Sequence, residues 1–204
     1  MRPQLRDYWE RRGRRYYREF RHKSGREKAP YDQQAAEFER AVSTLSPVHS
    51  VLELACGFGR VTQILRKVFP QAYILAVDLS TSQVKRARRL VRGVHFRVGD
   101  VTLMDLTRTF DLVIACEFYM HLPEDEFDIM VDKVAKWSRR FAMNIDFTGE
   151  EALSATESGV VYQFRHNYPQ AYRRRSFHRV TEYPLPKQTL FVAEKGGPRE
   201  NRAH

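Results

Sequence analysis

Apolar positions along this chain of 204 residues change their period once, near residue 50. Before that point Leu5, Tyr8, Trp9, Tyr16, Tyr17 and Phe20 recur at mostly helical spacing, predicting a helix over residues 4–22 that is interrupted near Gly13. Ser24 to Pro30 reads as a break. Ala35, Phe38, Val42 and Leu45 then share one face of a second helix, from Tyr31 to Leu45, which Ser46-Pro47 stops. Beyond it, short apolar runs at 51–55, 73–78, 94–100, 111–117 and 141–147 predict strands, with helices at about 60–68, 82–91 and 123–137. Strands alternating with helices of this kind make βαβ units and a parallel sheet. Right-handed crossovers wind it into a sandwich covered on both faces.

The end of the chain departs from this rhythm. Residues 176–183 and 189–195 both read as strands, and only PLPKQ separates them. So short a gap cannot hold a crossover helix, so the two strands are expected to be antiparallel neighbours. The predicted fold class is α/β: a doubly wound, mostly parallel, seven-stranded sheet with an antiparallel final strand. Its expected divisions are a basic helical arm at 1–46, a core at 47–197 and a disordered tail at 198–204.

Composition narrows the function. No run of about 18 apolar residues exists, so a membrane span is not expected. The charged start has no apolar stretch behind it and does not read as a secretory signal. Cys56 and Cys116 lie far apart and neither has a CxxC partner, which argues against a disulfide scaffold or a structural zinc site and for a reducing, cytoplasmic setting. The net charge of +10 is concentrated in residues 1–28, which hold eleven Lys and Arg against four acids. Such an arm attracts phosphates, nucleic acid or an anionic substrate, or is simply a solvated helix face.

The strongest chemical signal is VLELACGFGRVT at residues 51–62, at a strand-to-helix turn. Gly57 and Gly59 let the backbone turn tightly and let a ligand approach it. Glu53 lies inside the strand, where a charge is expensive unless paired. Asp78 follows the second strand, twenty-one residues after Gly57, where an acid accepts hydrogen bonds from ribose hydroxyls. A dinucleotide fingerprint would need a third glycine at position 62, which is Thr62, and Arg60 occupies the helix start where a diphosphate wants free N–H groups.

The pattern ExACGxGR instead resembles motif I of the Rossmann-like, class I S-adenosylmethionine-dependent methyltransferases, (D/E)xGxGxG, with Ala55 in place of the first glycine. The resemblance extends over 51–195: Asp78 in AVDLS matches the ribose-binding acid, Asp100 in VGDV the acid near the adenine amino group, and FDLVIACEFYMHL (110–122) the strand whose tip approaches the methyl donor. It implies S-adenosylmethionine as cofactor, held by Glu53, Ala55, Cys56, Gly57, Gly59, Asp78, Leu79, Asp100, Val101 and Cys116. The YW…YY segment of the arm is similar to the leading helix that closes over the donor as a lid in small-molecule members.

The acceptor site is less legible. Cys116, Glu117, Tyr119 and His121 cluster at the fourth strand's end, and a neutral His121 there suits removal of a proton from a hydroxyl or amine. In residues 162–175, His166, Tyr168 and Tyr172 offer hydrogen-bonding aromatic chemistry, and Arg165 with Arg173 to Arg175 adds positive charge. The expected catalytic residues are His121, Tyr119 and His166. A metal held by His121, His166 and Asp146 lacks any closely spaced ligand pattern, so none is expected. A basic lid implies a small anionic acceptor, methylated at oxygen or nitrogen. The alternative is an RNA- or ribosome-directed enzyme using residues 1–28 to bind phosphates and stack bases, although 116–119 reads CEFY and not (N/D)PP(Y/F/W). A silent, donor-binding partner subunit is a third reading, which the intact motif residues oppose.

Overall fold

A computed structural model describes residues 3–147, 164–186 and 188–196. The elements in chain order are α1 (Pro3–His22), α2 (Gly25–Ser43), β1 (Ser50–Leu54), α3 (Arg60–Val68), β2 (Tyr73–Asp78), α4 (Thr81–Leu90), β3 (His95–Val98), β4 (Phe110–Cys116), α5 (Glu124–Trp137), β5 (Ser138–Asp146), α6 (Tyr168–Arg173), β6 (Phe177–Pro184) and β7 (Thr189–Lys195). The seven strands form one sheet in the order β3-β2-β1-β4-β5-β7-β6, with β7 antiparallel to both neighbours. This is the predicted fold class. The expected tail at 198–204 lies outside the described residues.

The sheet is covered on both faces, which is why its central strands are apolar throughout and not alternating. Leu52, Leu54, Val113 and Ala115 pack on one side with Phe127, Val131, Val134 and Trp137 of α5. Val51, Leu112 and Ile114 pack on the other with Phe38 and Val42 of α2 and Leu65 of α3. Each such large side chain contributes about 1.5–3 kcal/mol by leaving water. β1 lies between β2 and β4, so successive crossovers leave in opposite directions from its carboxyl end. A crevice opens there, as in other open α/β sheets.

Two expectations for the arm are corrected. α2 begins at Gly25, not Tyr31, and runs through Pro30. A proline so near the amino end forfeits one backbone bond, and its fixed φ already suits a helix. α1 is not interrupted at Gly13 either. A Cβ there would lie 2.5 Å from Ser80 Oγ and 2.8 Å from Gln83 Cγ. The glycine is a point of close approach, where α1 lies on the amino end of α4. Gly13→Ala is therefore expected to loosen this docking although alanine favours a helix by about 1 kcal/mol. Faster proteolysis within residues 3–22 is the readout, and an unchanged rate would refute it.

Candidate active site

The glycine turn is built on an unusual backbone. Ala55, Gly57 and Gly59 all have positive φ, of 53°, 56° and 89°. At Gly57 the nearest neighbour of an added Cβ is Gln83 Nε2 at 3.8 Å, so this face is open. At Gly59 the Cβ would press on Ala87 at 3.2 Å and Val91 at 3.3 Å. The absence of a side chain at Gly59 thus serves close packing against α4. Ala55 holds a left-handed conformation that costs an L-residue about 1–2 kcal/mol. Ala55→Gly is expected to be neutral or to stabilise by up to about 1 kcal/mol, net of glycine's greater freedom when unfolded. A clear drop in unfolding midpoint would contradict that.

Asp78 ties this turn to the end of β2. Its Oδ2 accepts the Gly57 N–H and its Oδ1 the Ser80 N–H, both at 2.8 Å. Burial raises its carboxyl to about 6, against the pull of those two bonds. Glu53 is 2% exposed within β1 and accepts from Thr62 Oγ1 at 2.6 Å. Burial pushes it up to about 8, with the Thr62 bond opposing and the Asp78 charge adding. Glu53 is therefore enclosed between β1 and α3. The Cys56 side chain belongs to the apolar cluster with Val84 and Ala87 of α4 and Val91 just after it, leaving its backbone to the turn. Leu79, half-buried, follows Asp78 directly.

Asp100 follows β3. Its Oδ1 accepts from Thr102 N at 3.0 Å and from Thr102 Oγ1 at 2.7 Å, whereas its Oδ2 is buried and has no hydrogen-bond partner. A buried acceptor left unpaired costs about 1–3 kcal/mol, so a donor group belongs opposite it. Val101 beside it is 5% exposed and packs with Leu54 and Val77.

At the tip of β4, Arg60 reaches across from α3 to lie 3.6 Å from Cys116 Sγ and 3.7 Å from Glu117 Oε1. Burial alone would lower the Arg60 guanidinium, but Cys116 and Glu117 outweigh it and hold it above its ordinary value. Glu117, at φ 54°, also accepts from Gln34 Nε2 at 3.1 Å and Gln188 Nε2 at 3.2 Å. Burial raises both the Cys116 thiol and the Tyr16 hydroxyl, each facing this same group of charges. A half-buried cation and a half-buried carboxylate thus stand side by side at the β1–β4 end of the crevice.

α1 spans the mouth. Trp9 meets His121 edge-on at 4.9 Å. Glu10 accepts from Ser80 Oγ at 2.8 Å; burial works against its charge, but bonds from Ser80 and Ser82 hold its carboxyl below the usual range. Tyr16, Tyr17 and Phe20 surround Phe58 at ring separations of 5.8, 5.2 and 5.2 Å. These rings are spent on the protein's own surface, which counters their expected use in stacking bases.

Two expected catalytic residues are corrected. Tyr119 is 1% exposed, packed against Phe127 and bonded to Tyr172, so its hydroxyl does not face the crevice. The His166 side chain is fully buried, with Nδ1 on Glu124 Oε2 at 2.8 Å and Nε2 between the carbonyls of Tyr119 and Leu122. Neither ring nitrogen is left for a substrate. His121 alone of the three lies against α1. Among the described residues, no three His, Cys, Asp or Glu side chains gather as a metal requires. Sequence reading assigns Phe58 no role, Tyr16 only a place among the apolar positions of the first helix, and Arg60 only a place in the motif and at the helix start where it opposes a phosphate. An aromatic between two turn glycines followed by an arginine was the available signal.

Residues 51–140 match a family described as a methyltransferase domain. Malonyl-[acyl-carrier protein] O-methyltransferase of Priestia megaterium is 40% identical over 68 residues, 32% of this chain and 25% of that protein. Trans-aconitate 2-methyltransferase of Acidovorax is 35% identical over 81 residues, 40% of this chain and 31% of that one. The chain therefore spans about a quarter to a third of the length of these curated relatives. Among solved structures, magnesium protoporphyrin IX methyltransferase of Synechocystis with bound SAH superposes with a TM-score of 0.72 at 17% identity, over 94% of this chain and 98% of that one.

Proposed function

The chain carries a methyltransferase domain of the Rossmann-like, S-adenosylmethionine-dependent class, and from that premise we propose that it transfers a methyl group to an oxygen or nitrogen of a small anionic metabolite. The observation that carries the reading is the unpartnered Asp100 Oδ2, set across the ends of the strands from Asp78 and the glycine turn. An adenine amino group satisfies the first acid and ribose hydroxyls the second. Arg60 suits the carboxylate of the amino-acid head and Glu117 its ammonium. Three acids and no phosphate cradle fit a cationic nucleoside better than a dinucleotide.

When bound, the sulfonium supplies an electrophilic methyl group for an in-line displacement. The residues contribute position, holding donor and acceptor in a row, and α1 excludes water with its aromatic face over the turn. His121 takes the proton where the acceptor is a hydroxyl or amine; a carboxylate acceptor needs no base. Support for an anionic acceptor comes from the excess of arginine in α1, the helix that spans the mouth, and from two relatives named for acidic acceptors. RNA has less support, because the aromatic side chains of α1 are engaged at home.

The test is a cell extract divided into metabolite and RNA fractions and incubated with methyl-labelled donor, followed by mass spectrometry. Label is expected in an acidic metabolite. Label confined to RNA would reverse the reading. Purified protein that binds NADH but not S-adenosylhomocysteine in calorimetry would end it.

A further inference from the structure

Two buried side chains, far apart in sequence and outside the donor cradle, hold the turn that follows β4. This turn, residues 118–122, includes a short 3-10 segment, Tyr119–His121. From one side, Asp146 Oδ1 accepts the N–H groups of Phe118 and Met120 at 3.1 and 3.3 Å. From the other, the carbonyls of Tyr119 and Leu122 lie 3.1 and 3.0 Å from His166 Nε2. Carbonyl oxygens only accept, so Nε2 is the donor here. The Phe164 N–H also donates to the Met120 carbonyl at 2.7 Å.

Each grip is itself anchored. Asn144 Nδ2 donates to Asp146 Oδ2 at 2.8 Å, and the Tyr172 hydroxyl of α6 donates to Asn144 Oδ1 at 2.9 Å. The His166 ring stacks on Phe127 at 3.9 Å with 12° between planes. Asp146 is 0% exposed, and a carboxyl kept wholly out of water is costly unless its bonds are needed. The turn needs them: it is entered through Glu117 at φ 54°, a strained conformation that persists only where the surroundings impose it. Its last helical residue is His121, which meets Trp9 of α1.

We infer that Asp146 and His166 are positioning residues for the transfer: they fix the 118–122 turn from its N–H and C=O sides, so that His121 is presented beneath the lid helix on the acceptor side of the cleft. Neither touches the reacting atoms. The inference rests on the function proposed above, and its test separates the two.

Asp146→Val and His166→Leu remove the acceptor and the donor, whereas Asp146→Asn and His166→Gln each keep one. Unfolding midpoints confirm that every variant is folded at the assay temperature. Three measurements follow on the full chain: amide exchange of the peptide spanning 117–122, calorimetric affinity for S-adenosylhomocysteine, and labelled methyl transfer to the extract. Exchange is expected to accelerate at least tenfold, and transfer to fall at least tenfold, in Asp146→Val and His166→Leu. Affinity is expected to stay within twofold, and the Asn and Gln variants to recover most of both losses. Unchanged exchange or transfer in folded Asp146→Val and His166→Leu would overturn the inference. So would affinity falling in step with transfer, because the turn would then serve the donor. A wild-type protein that labels nothing sinks the proposed function instead, and the positioning role with it.

Discussion

Asp78→Ala is expected to lower the affinity for S-adenosylhomocysteine by about 10- to 150-fold, the loss of roughly 1.4–3 kcal/mol that follows from stranding buried polar groups. It also removes the acceptor of both the Gly57 and the Ser80 N–H, so the turn and the amino end of α4 lose their common tie and the unfolding midpoint is expected to fall. Asp78→Asn separates the two effects, because it keeps one acceptor for the backbone but no longer accepts from two hydroxyls. It is expected to retain most of the stability and little of the affinity. The carboxyl lies at about 6, so wild-type affinity is expected to rise from pH 5 to 7 as the accepting carboxylate forms, with Asp78→Asn flat over that range. Calorimetry across the range decides it: an affinity for Asp78→Asn equal to wild type would remove Asp78 from the donor site.

The second large effect is on stability. Glu53, Asp146 and Asp78 are all raised by burial, to about 8, 7 and 6. An acid whose folded value lies above its unfolded one binds protons more tightly in the native state. Its stabilisation is complete below the unfolded value, near pH 4, and is lost as pH rises through the folded value. Each group removes about 1.4 kcal/mol per pH unit within its window. Glu10 and Asp111 are shifted the other way, and their contribution is lost only as the solution becomes acidic. The unfolding midpoint is therefore expected to decline from pH 5.5 to 8.5. In Glu53→Gln, which keeps an acceptor for Thr62, the decline above pH 7 is expected to be much shallower. Parallel curves for the two proteins would show that Glu53 is not the group that titrates.

How far the sequence was legible depended on whether the signal was local. The seven strands and their helices followed from runs such as 73–78 and 111–117, and the short PLPKQ link settled the antiparallel ending because five residues cannot carry a crossover. The glycine turn and the acids after β2 and β3 were legible for the same reason: each sits at a fixed step from a strand end. Gly13 and Pro30 misled because single-residue propensity was overruled by contacts with α4 and by position near a helix start.

Function divided along the same line. Residue order alone determined the fold class, the crevice at the ends of β1, β2 and β3, and the acids that follow β2 and β3, because hydrophobic period and strand-end spacing are properties of neighbouring residues. Only the tertiary structure decided that Tyr119 and His166 are buried supports, that Arg60 reaches Glu117, that Gly59 packs against Ala87, and that α1 closes on Phe58 and His121. Those outcomes depend on which side chains meet across the sheet and whether water reaches them, and contacts between residues 28 to 112 positions apart leave no periodic trace in the chain.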